Sequence, residues 1–232
     1  MSLNDGFAAL STALVADACI RRAVPLRAAP PGIAPVVAGG HVAGRALPVR
    51  HYGSVDVFLE AYGRAALGDV LVVDNDGRTD EACLGDLAVL EAKAAGLAAA
   101  VVWGLHRDTA ELVEIGFPVF SYGAYAPGPL RLDEREAEAL DSARFGATVV
   151  TAADAVFADA DGVLFVAFDR VDEVVETAAA IQRKERDQAA RIGAGETLRA
   201  QTTFDEYLAR RALDASYSFR AHLRATGRAI EE

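Results

Sequence analysis

Apolar residues recur at helical spacing near the start of the chain, with Leu10, Leu14 and Ala18 in phase, and predict a helix over 7–24. Pro30-Pro31-Gly32 fits inside neither regular element, so 25–35 reads as a loop. A strand follows over 36–49, interrupted by a turn at Gly39-Gly40, and then a helix over 54–66. Residues 69–74 (DVLVVD) and 98–103 (AAAVVW) are apolar without alternation, the pattern of strands buried on both faces. Between them lies a helix over 83–95, with Gly96 as the residue that ends it. A short helix over 108–115 stops at Gly116, and 117–121 is a third buried strand. Strands alternating with helices predict parallel pairing through crossover helices. The register then changes. Short strands over 147–150 and 155–158 lead through a hairpin turn at Asp161-Gly162 into 163–168. A long helix over 171–192 and a last helix over 204–225 close the chain.

Of the 232 residues, 52% are hydrophobic and 25% charged, a globular composition with enough apolar surface for a core. No apolar run approaches the roughly 18 residues of a membrane span. A net charge of −11 excludes a phosphate-contacted nucleic acid as partner, because no basic field exists to attract it. That charge is uneven: residues 170–232 hold 11 Lys+Arg and 11 Asp+Glu, so the whole excess sits in 1–169, where a cation could bind. Cys19 and Cys83 form no CxxC pair for zinc, and two cysteines make no disulfide framework, which points to a reducing, cytoplasmic setting.

Polar residues concentrate where buried strands hand over to helices. Asp74, Asp76, Asp80, Glu81, Gly85 and Asp86 follow one strand; Gly104, His106, Arg107, Asp108 and Thr109 follow the next. Open parallel sheets bind ligands at those carboxyl ends. A helix start offers free amides to a carboxylate, and Arg107 beside Asp108 offers a guanidinium fork and an oxygen ligand for a hard cation. Capping by Asp108 and a surface charge at Arg107 would explain the same residues without chemistry. In the long helix, Val174, Ala178, Ile181 and Ile192 share a stripe that Glu185 interrupts. Either the stripe fades into solvent there, or Glu185 projects into a neighbouring site. His41, Cys19 and Trp103 read as structural, and Cys83 as an inert thiol with no base beside it. No P-loop, Rossmann fingerprint or G-x-S-x-G elbow is present.

Asp86 is followed by twenty residues and then Arg107-Asp108. This spacing, with Gly68-Asp69-Val70, Gly85-Asp86-Leu87-Ala88, Phe117-Pro118-Val119-Phe120 and the segment Val156–Val163, resembles the RraA-like family. That family takes in the regulator of ribonuclease E activity A and the class II 4-hydroxy-4-methyl-2-oxoglutarate (HMG) aldolases. Its members often carry the label of demethylmenaquinone methyltransferases. The resemblance implies an α/β fold, a layered β/β/α swivelling domain with a C-terminal helical arm. It implies one domain over 1–232, with a core over about 8–200 and an extension from about 201. It also implies a ring-shaped homotrimer or a hexamer.

For the site, the resemblance implies that the backbone around Gly85, Asp86, Leu87 and Ala88, together with Arg107, holds the pyruvate end of a small 2-oxo acid. Asp108 would bind Mg²⁺ or another divalent cation such as Mn²⁺. Asp86 would act through water on that cation, and Glu185 of the next subunit would complete the site. His106 departs from the valine that aldolase members often carry. The implied activity is cleavage of a 4-hydroxy-2-oxo acid or decarboxylation of oxaloacetate, both of which pass through a pyruvate enolate. Only two lysines exist, Lys93 and Lys184, and neither lies in the acidic cluster, which disfavours a Schiff base and favours a cation as the electron sink. The family's other role, binding and inhibiting a ribonuclease or helicase, is the alternative.

Overall fold

The computed structural model describes residues 3–227; Met1, Ser2 and the last five residues of the extension lie outside it. The chain divides into two compact units, Met1–Val175 and Glu176–Glu232. The division falls inside the helix Val171–Gly193, earlier than the start expected for the extension.

The first unit is built on an eight-stranded mixed sheet. Its order is Arg27–Ala28, Gly162–Ala167, Asp154–Asp159, Val42–Arg50, Val70–Asp74, Ala99–Trp103, Val119–Ser121 and Ala34–Pro35. The four strands from Val42–Arg50 to Val119–Ser121 pair in parallel, as the alternation predicts. The hairpin strands Asp154–Asp159 and Gly162–Ala167 are antiparallel, and the first of them pairs antiparallel with Val42–Arg50. Gly162 turns the hairpin at φ 136°, a conformation open to glycine alone.

The central strands are buried on both faces, which is why their sequences do not alternate. Leu71, Val73, Ala100 and Val102 face one core with Val57, Phe58, Val89 and Leu112 of the crossover helices. Val70, Val72, Ala99 and Val101 face a second core with Phe120, Phe145, Val156 and Phe165. Helices therefore cover one face and curled β structure the other. The hairpin Ser142–Phe145/Thr148–Thr151 supplies Ala143, Phe145 and Val150 to the second core.

Several boundaries differ from the sequence expectations. The helix expected over 7–24 runs only over Thr12–Arg21, because the Ser11 side chain accepts Leu14 N–H and starts it there, and a separate short helix, Leu3–Phe7, precedes it. The expected helix over 83–95 begins only at Asp86, since Ala82–Leu84 pairs as a strand with Leu105–His106. The last helix divides into Phe204–Leu213 and Phe219–Thr226, where Ser218 caps the second piece.

The second unit has its own small core. Tyr207, His222 and Leu223 are buried, with Phe204 and Phe219 stacked edge-on against each other. His222 Nε2 lies 3.0 Å from Thr202 O and 2.9 Å from Thr203 Oγ1, so this buried imidazole is satisfied structurally. Among the described residues, no helix is long and apolar enough to cross a membrane.

Candidate functional site

The parallel strands deliver their carboxyl ends to one edge of the sheet, and the segments 74–86 and 104–109 both start from it. Arg107 N–H donates to Leu84 O at 2.9 Å, which brings Arg107 and Asp108 alongside the start of the helix Asp86–Ala94.

Asp108 occupies the N-cap position of the helix Thr109–Ile115 but makes no capping hydrogen bond. Its backbone is left-handed, φ 60° and ψ 42°, a conformation that costs a non-glycine residue about 1 kcal/mol or more. The carboxylate instead crosses to the neighbouring helix start. Its Oδ2 accepts Asp86 N–H at 3.3 Å and lies 3.4 Å from Arg107 Nε. Capping of its own helix therefore does not account for this aspartate, whose carboxylate serves the first amide of the neighbouring helix instead. Gly85 makes the crossing possible, since a Cβ there would lie 2.4 Å from Asp108 Oδ2. Asp86 Oδ1 accepts Leu87 N–H at 2.7 Å. Two carboxylates thus already rest on the amides expected to take a substrate carboxylate.

The Arg107 side chain is 50% exposed, and Asp108 is its one ion-pair partner among the described residues. Gly128 passes so close that a Cβ there would lie 2.9 Å from Nη1. His106 is buried beneath the pair. Its Nδ1 lies 2.7 Å from Ser121 Oγ and its Nε2 3.0 Å from Thr109 Oγ1, so it braces the helix start against the neighbouring strand. Burial pushes the His106 pKa down, against the pull of the Asp108 charge.

The remaining acids of the cluster are committed elsewhere. Asp74, 1% exposed, accepts Arg144 Nε at 2.6 Å and Asp76 N–H at 2.9 Å. Asp80 pairs with Arg78 at 2.6 Å. Glu81, 3% exposed, is gripped by Arg131 through Nε and Nη2 at 2.9–3.1 Å. Arg131 also reaches Asn75 Oδ1, which lies 2.8 Å from His51 Nδ1. Burial lowers the His51 pKa. A polar cavity of roughly 270 Å³ opens beside these groups, lined by Arg50, His51, Asp74, Arg78, Arg131 and Arg144 among others.

Glu185 is exposed on its helix, while Val174, Ala178 and Ile181 are buried and Ile192 is 46% exposed; within one chain the stripe fades where Glu185 stands. Cys83 carries no base, and burial raises its thiol pKa. His41 stacks on Phe7 at 4.1 Å, and Trp103 Nε1 donates to Tyr122 Oη at 3.1 Å, both structural.

Among the described residues, no three His, Cys, Asp or Glu side chains converge to hold a metal ion by themselves. The Asp108 carboxylate, resting on the Asp86 amide, offers one hard oxygen donor of the kind that suffices for a cation keeping several waters and taking further oxygens from substrate.

A family model described as Aldolase/RraA matches residues 12–165, and the chain belongs to this RraA-like family. Protein DlpA of Legionella pneumophila is 33% identical over 129 residues, 56% of this chain and 21% of that protein. A Halalkalibacterium halodurans protein named "Putative 4-hydroxy-4-methyl-2-oxoglutarate aldolase" is 29% identical over 133 residues, 57% of this chain and 61% of that protein. The chain thus spans about a fifth of the first relative and about three fifths of the second. Among solved structures, Streptomyces coelicolor RraAS2, described as an unusual member of the RNase ES inhibitor RraA protein family, superposes with a TM-score of 0.69 at 25% identity. That match covers 82% of this chain and 97% of the other. The layered fold expected from the sequence is the fold of these neighbours.

Proposed function

We propose that this protein is a divalent-cation-dependent lyase that releases pyruvate from a small 2-oxo acid. The substrate would be a 4-hydroxy-2-oxo diacid of the HMG type, oxaloacetate, or both. The observation that carries this reading is the Arg107–Asp108 pair. Its aspartate is held in a left-handed conformation, makes no side-chain cap on its own helix, and lies with Arg107 over the first amide of a second helix.

Arg107 would clamp the substrate carboxylate with two parallel hydrogen bonds from its half-exposed guanidinium, whose Nε faces Asp108 at 3.4 Å. The amides of Asp86, Leu87 and Ala88 would take the oxygens of the same pyruvate unit, with the substrate carboxylate replacing the Asp86 side chain on Leu87 N–H. Asp108, with Asp86 beside it, would hold Mg²⁺ or Mn²⁺. When bound, that cation supplies Lewis acidity for the negative charge that develops on the 2-oxo group. Asp86, released from Leu87 N–H, would act through a water: in cleavage it would take the 4-hydroxyl proton as the C3–C4 bond breaks, and in either reaction it would return a proton to the pyruvate carbon.

Glu185 of a neighbouring copy would complete the site. Its exposure within one chain supports that role, and the exposed Leu59, Leu87, Leu90 and Val113 on the crossover helices support assembly into a trimer or hexamer. The likeness to a ribonuclease-inhibitor family favours a second reading, a regulator that binds a nuclease without catalysis.

One assay separates the two. Purified protein is incubated with oxaloacetate and with HMG, with Mg²⁺ and with EDTA, and pyruvate is measured. The lyase reading expects release that needs the cation. No release from either substrate at any cation concentration overturns it.

A further inference from the structure

We infer that Gly128 is a positioning residue: the segment around it is a strap whose backbone fixes where the Arg107 guanidinium stands. This rests on the reading of Arg107 as a substrate clamp and adds a residue that neither the cluster nor the family motif contains.

The strap is anchored on both sides of Gly128. On the near side, His106 N–H donates to Gly123 O at 3.0 Å and Tyr125 N–H donates to His106 O at 2.8 Å. Ala82 N–H donates to Pro127 O at 2.9 Å, immediately before Gly128. On the far side, Arg131 is locked to the buried Glu81 and to Asn75, and Asp133 N–H donates to Tyr52 O at 2.9 Å. Gly128 stands between Pro127 and Pro129, whose rings fix φ and restrict the residue before them to extended backbone.

A backbone held in this way cannot recede. A Cβ at position 128 would lie 2.9 Å from Arg107 Nη1 and 3.8 Å from Cζ, and among the described residues beyond the flanking prolines no other atom stands within 4 Å. The guanidinium is the flexible partner, so it must move. Gly128 shows no positive φ, so alanine meets no left-handed strain there. Gly128→Ala therefore removes chain freedom from the unfolded state without straining the native backbone. Its two effects have opposite signs: stability is unchanged or slightly raised, while the clamp is displaced.

The test is Gly128→Ala, with Leu130→Ala on the same strap as control, since Leu130 is fully exposed. Relief of the contact needs a guanidinium shift of about 0.5–1 Å to reach ordinary van der Waals separation. A displacement of that size costs about tenfold to a hundredfold in kcat/KM. Gly128→Ala should show that loss with an undiminished Tm, and Leu130→Ala should show neither change. In an Arg107→Ala background, Gly128→Ala should cost nothing further, because its effect passes through Arg107. A crystal structure of Gly128→Ala should show the Arg107 guanidinium moved away from residue 128.

Gly128→Ala with wild-type kcat/KM, or a further loss in the Arg107→Ala background, overturns the inference. If the wild-type protein releases no pyruvate, the lyase reading fails alone and the crystal structure decides. A guanidinium unmoved beside the alanine then overturns the inference, and a displaced one upholds it.

Discussion

Arg131→Met is expected to be the most destabilising single change near the site, although Arg131 belongs to no motif. The Glu81 side chain is 4% exposed, and Arg131 gives it three contacts at 2.9–3.1 Å while donating to Asn75 at 3.0 Å. Without Arg131, the nearest positive group is Arg78 Nε at 3.7 Å, beyond hydrogen-bond distance, and burial disfavours the charged form of the His51 ring at 4.0 Å. Removing one member of a buried pair strands the other charge, at about 3–5 kcal/mol. The Arg131 side chain is 18% exposed, so water reaches the vacated place. With Arg78 also near, the cost drops somewhat below that range, to about 2–4 kcal/mol. For a protein of this size, that is a fall in Tm of about 4–16 °C.

Thermal and urea unfolding followed by circular dichroism measure the cost, and the double variant Glu81→Gln/Arg131→Met isolates its origin. Removing the stranded charge should recover more than half of the loss, because the double variant buries an amide rather than an ion. A single variant within about 0.5 kcal/mol of wild type, or a double variant as unstable as Arg131→Met, would refute the reasoning, since ordinary surface changes fall in that range.

Three further outcomes follow from the site. Arg107→Lys should lose kcat/KM almost as fully as Arg107→Ala, by roughly 30- to 1000-fold or about 2–4 kcal/mol, because lysine cannot form the fork; steady-state kinetics within about threefold of wild type would make Arg107 a surface charge. Glu185→Gln should lose activity while keeping its size by light scattering, and mixing it with Arg107→Ala should restore some turnover if a site is shared between copies; subunit exchange without recovered activity contradicts the sharing. Burial holds the His51 pKa below its ordinary value, so below about pH 6.5 the unfolded chain binds a proton that the folded protein does not. Stability should therefore fall as pH drops below that value, and His51→Gln should flatten the Tm profile between about pH 7.5 and 5.5; an unchanged slope rules His51 out as its source.

The strand and helix alternation from Val42 to Ser121 was legible because buried parallel strands and their crossover helices leave strong local patterns. Gly96 and Gly116 end their helices at φ 83° and 65°, as their places after the last apolar residue imply. Two elements hid behind stronger signals. Ala82–Leu84 and Leu105–His106 are three- and two-residue strands paired with each other outside the main sheet, too short for any periodicity to register. The Arg-Asp dipeptide was legible as a candidate; the left-handed backbone that frees Asp108 from capping was not, since no local pattern marks it. Arg131 lies 50 residues from Glu81, and nothing near either one announces the ion pair. Pro127-Gly128-Pro129 does mark a stiff loop in the sequence, but its contact with Arg107 exists only once the sheet has brought the two segments together.

In the proposed lyase, Asp108 would hold a catalytic cation beside Arg107. The most direct measurement is the initial rate of pyruvate release from oxaloacetate as Mg²⁺ is titrated, on wild type and Asp108→Ala at equal protein concentration, corrected for spontaneous decarboxylation in protein-free controls. Wild type should rise from background to a plateau and return to background in EDTA, while Asp108→Ala stays at background throughout. A wild-type rate indifferent to EDTA, or an Asp108→Ala protein that turns over like wild type, would contradict the account.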